Sequence, residues 1–201
     1  MLYTQAKWWI EGVTNSATPM LCLFKKDKLL LQTVIDLRKH KNNTVKDIVP
    51  FPDQDEICES GARGKYPSKP DMTNAYKQVC IFPEHVKKMV FNTIYSTIYS
   101  NVLHQGECNT PNMFQCLMMH QCQHWIGWSI FIYLDNIFVY SNTVEEHERL
   151  LQAVVDILTK AQLHLSEKKV DLYVDWMDCL GHVVDHEGIH ANMDKMLVIS
   201  G

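Results

Sequence analysis

None of the 201 residues fall in an uninterrupted apolar run approaching the roughly 18–20 needed to cross a bilayer, so no membrane-spanning helix is expected. The stretch where a secretory leader would lie, Met1 to Phe24, is broken by Lys7, Glu11 and Asn15 and has no continuous apolar centre. Internal repeats and low-complexity tracts are missing, which excludes solenoid and disordered classes. The seven cysteines are odd in number, lack a framework spacing and include no C-x₂-C pair. A disulfide scaffold and the usual structural zinc pattern are therefore excluded, and reduced thiols in an intracellular protein are expected. Cys108, Cys116 and Cys122, with His104, His120 and His124, then read as helix and loop positions rather than ligands. A basic excess is also missing: 19 Lys and Arg face 23 Asp and Glu, for a net charge of −4. That argues against a protein that coats nucleic acid but leaves room for local basic patches.

What is present is apolar content, 46% of the chain, enough for one domain or two tightly joined subdomains. Met20 to Phe24 predicts a strand. The charged turn Lys25-Lys26-Asp27-Lys28, which has no glycine, leads into a second arm from Leu29 to Leu37. A basic stretch, Arg38 to Lys41, follows. Pro50, Pro52 and Asp53 to Glu56 mark a loop or a helix start. Asp71 to Phe82 predicts a strand end, a short helix with Ala75 and Tyr76, and a strand over Val79 to Phe82. Pro111 suits the first turn of a helix presenting Met113, Phe114, Leu117 and Met118 on one face.

Ser129 to Ser141 predicts a hairpin with Asp135-Asn136 at its tip. Thr143 and Glu146 form a capping box before a helix with the stripe Leu151, Val154, Val155 and Leu158. Glu145 to Glu148 reads as a solvated first turn that suits the helix dipole. Leu163 to Tyr173 predicts an extended, basic segment around Lys168 and Lys169. A last hairpin is expected with Cys179 to Val184 and Ile189 to Ala191 as arms. Together these elements predict an α+β fold around a mainly antiparallel sheet.

Taken alone, Asp135 reads as a turn residue and Asp71 as a helix cap. As a pair they have a second reading, because phosphoryl transfer needs carboxylates from separate segments converging on metals about 3.5–4 Å apart. The loop Leu103-His104-Gln105-Gly106, with Asn109-Thr110-Pro111 after it, lies between them in the chain and could face a substrate.

The ordered set is what carries a resemblance. It runs Val34-Ile35-Asp36-Leu37-Arg38, Thr44-Val45-Lys46-Asp47, Pro50-Phe51-Pro52, Asp71-Met72-Thr73-Asn74-Ala75-Tyr76, Gln105-Gly106 and Phe114-Gln115. It continues through Tyr133-Leu134-Asp135-Asn136, Glu145-Glu146-His147, Leu180-Gly181-His182 and Glu187-Gly188-Ile189. Over roughly residues 18–196 the chain resembles the reverse transcriptase of Ty3/gypsy-type long-terminal-repeat retrotransposons, fungal copies most closely. The resemblance implies a right-hand polymerase palm and fingers, with an antiparallel palm sheet, packed helices and the thumb absent. Its divisions would be 1–17 lead-in, 18–55 first fingers part, 56–79 first palm part and 80–104 second fingers part. Residues 105–196 would form the remaining palm with its primer-positioning hairpin, and 197–201 a tail.

By that resemblance Asp71 and Asp135 would bind Mg²⁺, or Mn²⁺ in its place. Asn74 and Ala75 would offer N–H groups to the triphosphate, and Tyr76 would lie under the sugar. Gln105 and Gly106 would face the nucleotide or template pair. Lys25, Lys26 and Lys28, the Gln32 position and Arg38 would serve the phosphates from the fingers. Lys168 or Lys169 would sit behind the site, and Leu180, Gly181 and His182 would place the primer end. The implied partners are an RNA or DNA template-primer, deoxynucleotides and other parts of a retrotransposon polyprotein, with no membrane. The implied chemistry is in-line attack of a primer 3′-hydroxyl on an α-phosphate.

Several positions depart from the family pattern. Asn136 stands where a third carboxylate is usual, Gln32 where an arginine is, Lys28 and Ser96 where glycines are, and Trp128 where a basic residue is common. Leu29-Leu30-Leu31 carries an extra residue, and Pro70 enters the strand before Asp71. Impaired catalysis is therefore expected, and the competing expectation is a palm-and-fingers module that binds without catalysing.

Overall fold

The computed structural model describes residues 8–15, 17–25, 28–127 and 129–191, with side chains at 24–33 and 167–168 left undescribed. The chain forms two compact units, Met1–Asp47 with Tyr76–Pro111, and Ile48–Ala75 with Asn112–Gly201.

The first unit holds β1 (Trp9–Gly12), β2 (Thr18–Lys25), β3 (Lys28–Ile35), α1 (Arg38–Asn42), β5 (Val90–Asn92) and β6 (Thr97–Ser100). Its five-stranded sheet has the order β1-β6-β5-β2-β3. The expected first hairpin is present as β2 and β3, with an irregularity at Phe24/Lys25. One pairing, β2 with β5, is parallel, so this sheet is mixed. Phe91, Ile98, Val102 and Leu103 are buried in it, and the Trp9 ring meets Phe91 edge-on at 5.1 Å. The strand expected over Val79 to Phe82 reduces to one isolated bridge, Cys80 to Val102. Two backbone bonds flank the bridge, from the Ile81 N–H to the Asn101 carbonyl at 2.8 Å and from the Leu103 N–H to the Val79 carbonyl at 3.0 Å, and the pairing stops there.

The second unit holds α2 (Gln54–Arg63), β4 (Tyr66–Met72), most of α3 (Thr110–Cys122), β7 (Ile130–Tyr133), β8 (Asn136–Ser141), α4 (Val144–Lys160) and β9 (Leu165–Asp171). Then come β10 (Trp176–Cys179), β11 (His182–Asp185) and β12 (Gly188–Ala191). The main sheet is antiparallel, β7-β8-β4-β9, and β10-β11-β12 form a second. β4 is an inner strand, yet it contains Pro67 and Pro70. The strand survives both, with its register broken between Pro70 and Met72, where a proline can donate nothing to the ladder. Asp53 caps α2 by accepting from the Asp55 N–H. The core gathers Ile57 and Cys58 from α2 against Phe131, Phe138, Tyr140, Met177, Cys179 and Val184.

Two helix faces differ from the sequence pattern. On α3, Phe114 and Met118 are fully buried while Met113 is about half exposed; the fully buried Gln115 was not expected. On α4, Thr143 caps Glu146 as expected, but the buried face is His147, Leu150, Val154 and Leu158, and Val155 is exposed. The expected solvated first turn is thus corrected at His147, which is 0% exposed. Its ring is fully partnered. Ser141 Oγ donates to the Thr143 carbonyl, so it accepts from Nδ1–H at 2.9 Å. Nε2 then accepts from the Ser68 hydroxyl at 2.7 Å, and Ser68 Oγ accepts the Tyr173 N–H at 3.0 Å. Among the described residues no helix is long and apolar enough to cross a membrane.

Candidate active site

β4 and β8 pair antiparallel with Asp71 directly opposite Asn136. β7 and β8 close with Tyr133 opposite Asn136, so the two-residue tip is Leu134-Asp135 and Asn136 opens β8. This corrects the expected Asp135-Asn136 tip by one residue. The consequence is chemical: Asp135 stands in the turn, outside the ladder, while Asn136 is held within it, opposite Asp71.

Leu134 has φ 56°, a left-handed conformation that a branched side chain adopts only when its surroundings impose it. Gln115 supplies that constraint from α3. Its Oε1 accepts the Leu134 N–H at 2.7 Å and its Nε2 donates to the Ile132 carbonyl at 2.9 Å. A buried amide bridging Ile132 and Leu134 satisfies two backbone groups that would otherwise be orphaned. Tyr133 is fixed from the other direction, its hydroxyl accepting from Gln54 Nε2 at 2.6 Å and its ring 5.6 Å from Phe51.

The Asn136 amide donates weakly to the Tyr133 carbonyl at 3.4 Å. Lys169 Nζ lies 3.5 Å from Asp71 Oδ2, with the Lys169 side chain 72% exposed and that of Asp71 23% exposed. One expected lysine is therefore at the Asp71 carboxylate. The other, Lys168, has a side chain outside the described residues, as do Lys25, Lys26, Lys28 and Gln32.

Asn74 takes φ 47° in the reversal after β4, and Ala75 is buried at the start of a 3₁₀ turn, Ala75–Gln78. Leu180 and Gly181 form the two-residue turn between β10 and β11, at φ 53° and 100°. Positive φ at both positions is what a twisted hairpin turn requires. The Gly181 N–H reaches Asp178 Oδ1 at 3.0 Å. His182 begins β11, so the single arm expected over Cys179 to Val184 is broken by this turn.

Tyr76, Gln105, Gly106 and Arg38 belong to the other compact unit. Gln105 and Gly106 are exposed, Gly106 with φ 102°. The Arg38 guanidinium is engaged by Asp36 through two bonds, 2.9 and 2.6 Å. That pairing holds the Asp36 carboxyl down to about 2.

The same unit contains a buried pair of which the sequence pointed only to His104. His104 and Glu107 line an open recess together with Thr18, Leu37, His40 and Phe91. His104 Nε2 and Glu107 Oε1 are buried without a hydrogen-bond partner. Burial, with Lys77 adding repulsion, pushes His104 down to about 4, and burial pushes Glu107 up to about 7.

The family model described as reverse transcriptase (RNA-dependent DNA polymerase) matches residues 13–184. The chain is 28% identical over 167 residues to the retrovirus-related Pol polyprotein from transposon opus of Drosophila melanogaster, covering 83% of this chain and 17% of that protein. It is 29% identical over 168 residues to the Pol polyprotein from transposon 297 of the same organism, covering 84% and 16%. The chain thus spans about a sixth of the curated relatives it matches. Among solved structures, the foamy viral protease-reverse transcriptase in complex with dsDNA superposes with a TM-score of 0.87 at 23% identity, over 99% of this chain and 41% of that one. The same protein in complex with an RNA/DNA hybrid gives 0.87, over 99% and 26%. The fold is the polymerase palm-and-fingers fold, and the chain belongs to the reverse transcriptase (RNA-dependent DNA polymerase) family.

Proposed function

We propose that this chain is the palm-and-fingers part of a retrotransposon RNA-directed DNA polymerase, with catalysis weakened at Asn136. The unit of Ile48–Ala75 and Asn112–Gly201 acts as the palm, and the other unit as the fingers. The observation that carries the proposal is the β4–β8 register, which sets Asp71 opposite Asn136, the immediate neighbour of Asp135.

Asp71 and Asp135 offer hard oxygen donors of the kind Mg²⁺ takes, and the donor set fits that ion. Bound there, the ion would lend Lewis acidity to the phosphate under attack and to the primer hydroxyl. Asn136 can add only a neutral carbonyl oxygen, and its N–H is turned to Tyr133. Lys169 at Asp71 keeps that carboxylate paired and would have to yield to an incoming cation. Asn74 and Ala75, beside Asp71 in the chain, serve the triphosphate. The tight turn at Leu180-Gly181 serves the primer end. Template-primer and deoxynucleotides are the partners in this account.

A second reading, a module that binds template-primer without extending it, is favoured by the same Asn136 and Lys169 observations. Primer extension on a primed RNA template separates the two, with Asp71→Ala as control. Extension that persists undiminished in Asp71→Ala would sink the metal-site assignment. Retention of template-primer without extension would select the second reading.

A further inference from the structure

Two thiols from distant parts of the chain meet inside the second unit. Cys58 on α2 and Cys179 at the end of β10 have their sulfurs 3.2 Å apart, and both residues are buried, at 3% and 0% exposure. The Cys58 thiol also points at the Cys179 carbonyl, 3.5 Å away, and the Tyr140 hydroxyl lies 3.8 Å from the Cys179 sulfur. Both are free thiols. A disulfide needs sulfurs about 2.05 Å apart, so closing this pair takes a movement of roughly 1.2 Å between two side chains already facing each other.

We infer that Cys58 and Cys179 are a latent disulfide site, closed by a peroxide and fastening α2 to the β10–β11 turn. The step balances with one peroxide. The Cys58 thiolate attacks a peroxide oxygen, the O–O bond breaks and hydroxide leaves, giving a sulfenic acid on Cys58. The Cys179 sulfur then attacks that sulfur, the S–O bond breaks and water leaves. Two thiols and one hydrogen peroxide become one disulfide and two waters.

Cys58 is assigned the first attack because it retains slight exposure and Cys179 has none. Burial raises both thiols, Cys179 to about 12, so the reacting Cys58 thiolate is a minor species and closure by peroxide is slow. Proximity then decides the product, because a sulfenic acid formed on Cys58 meets Cys179 before any external thiol. Cys179 directly precedes Leu180-Gly181, so the bond would fasten that strained turn to the helix. The cross-link would form whether or not the chain polymerises.

The test treats the full chain with hydrogen peroxide under native conditions, then alkylates remaining thiols in denaturant and digests without reduction. The expected result is a linked pair of peptides carrying Cys58 and Cys179, two hydrogens lighter than their sum and separated by reductant. Thermal unfolding of the oxidised chain should move upward and return on reduction, and Cys58→Ala should remove both changes. Recovery of Cys58 and Cys179 as alkylated free thiols, while exposed Cys22, Cys80 and Cys116 are oxidised, would overturn the inference. So would their pairing with any of those cysteines. The peptide readout uses only the natural chain, so poor folding of the variant leaves the test intact.

Discussion

Gln115 Oε1 accepts the Leu134 N–H at 2.7 Å, so a fully buried amide on one helix holds the turn that presents Asp135. Replacing Gln115 by Leu keeps its volume and removes both bonds, leaving the Leu134 N–H and the Ile132 carbonyl buried and unmade. A loss of about 1–3 kcal/mol in unfolding free energy is expected, read from the urea midpoint at unchanged slope. A loss below about 0.5 kcal/mol would mean that water or backbone movement replaces the amide.

The His147 network makes stability depend on pH in a defined direction. Burial lowers this imidazole below its ordinary 6.5. Its folded-state pKa is thus depressed, so its contribution is complete above 6.5 and declines as pH falls below that value. Protonation would force Nε2 to donate where it now accepts from Ser68. Wild-type protein should lose unfolding temperature between pH 7 and pH 5 more steeply than His147→Gln. Equal slopes would place the sensitivity elsewhere.

Glu107 has the opposite sign. Its carboxyl is raised from 4.5 to about 7 by burial, so the folded state keeps the proton longer than the unfolded chain. Stability is full below 4.5 and is lost as pH rises through about 7, a difference of up to about 3 kcal/mol. Glu107→Gln removes the charge and should raise the unfolding temperature at pH 8 while changing it little at pH 5. A stabilisation that is the same at both values would contradict the assignment.

Much of this architecture is legible in the residues, and the failures have physical causes. The β7–β8 hairpin and the Thr143 cap follow from alternation and from an N-cap side chain, both local signals. The turn tip lies one residue from the expected place, and there Gln115, a partner from another helix, binds the Leu134 N–H. His147 reads as a solvated residue within an acidic run, and only the approach of Ser68 and Tyr173 turns it inward. Cys58 and Cys179 are 121 residues apart, so no spacing rule could join them. For the site, the register sets Asp71 opposite Asn136, and the roles of Asp71 and Asp135 come from the family resemblance alone.

The central claim is that Asp71 and Asp135 form a polymerase site weakened by the amide at Asn136. The direct test is primer extension on an RNA template with Mg²⁺, comparing the natural chain with Asn136→Asp, each with and without Asp135→Ala. Restoring the charge replaces a neutral ligand by a charged one, worth about 1.5–3 kcal/mol, so the rate should rise about tenfold to a hundredfold. Asp135→Ala should abolish extension in both backgrounds. Equal rates for the natural chain and Asn136→Asp, or extension that survives Asp135→Ala, would contradict the account.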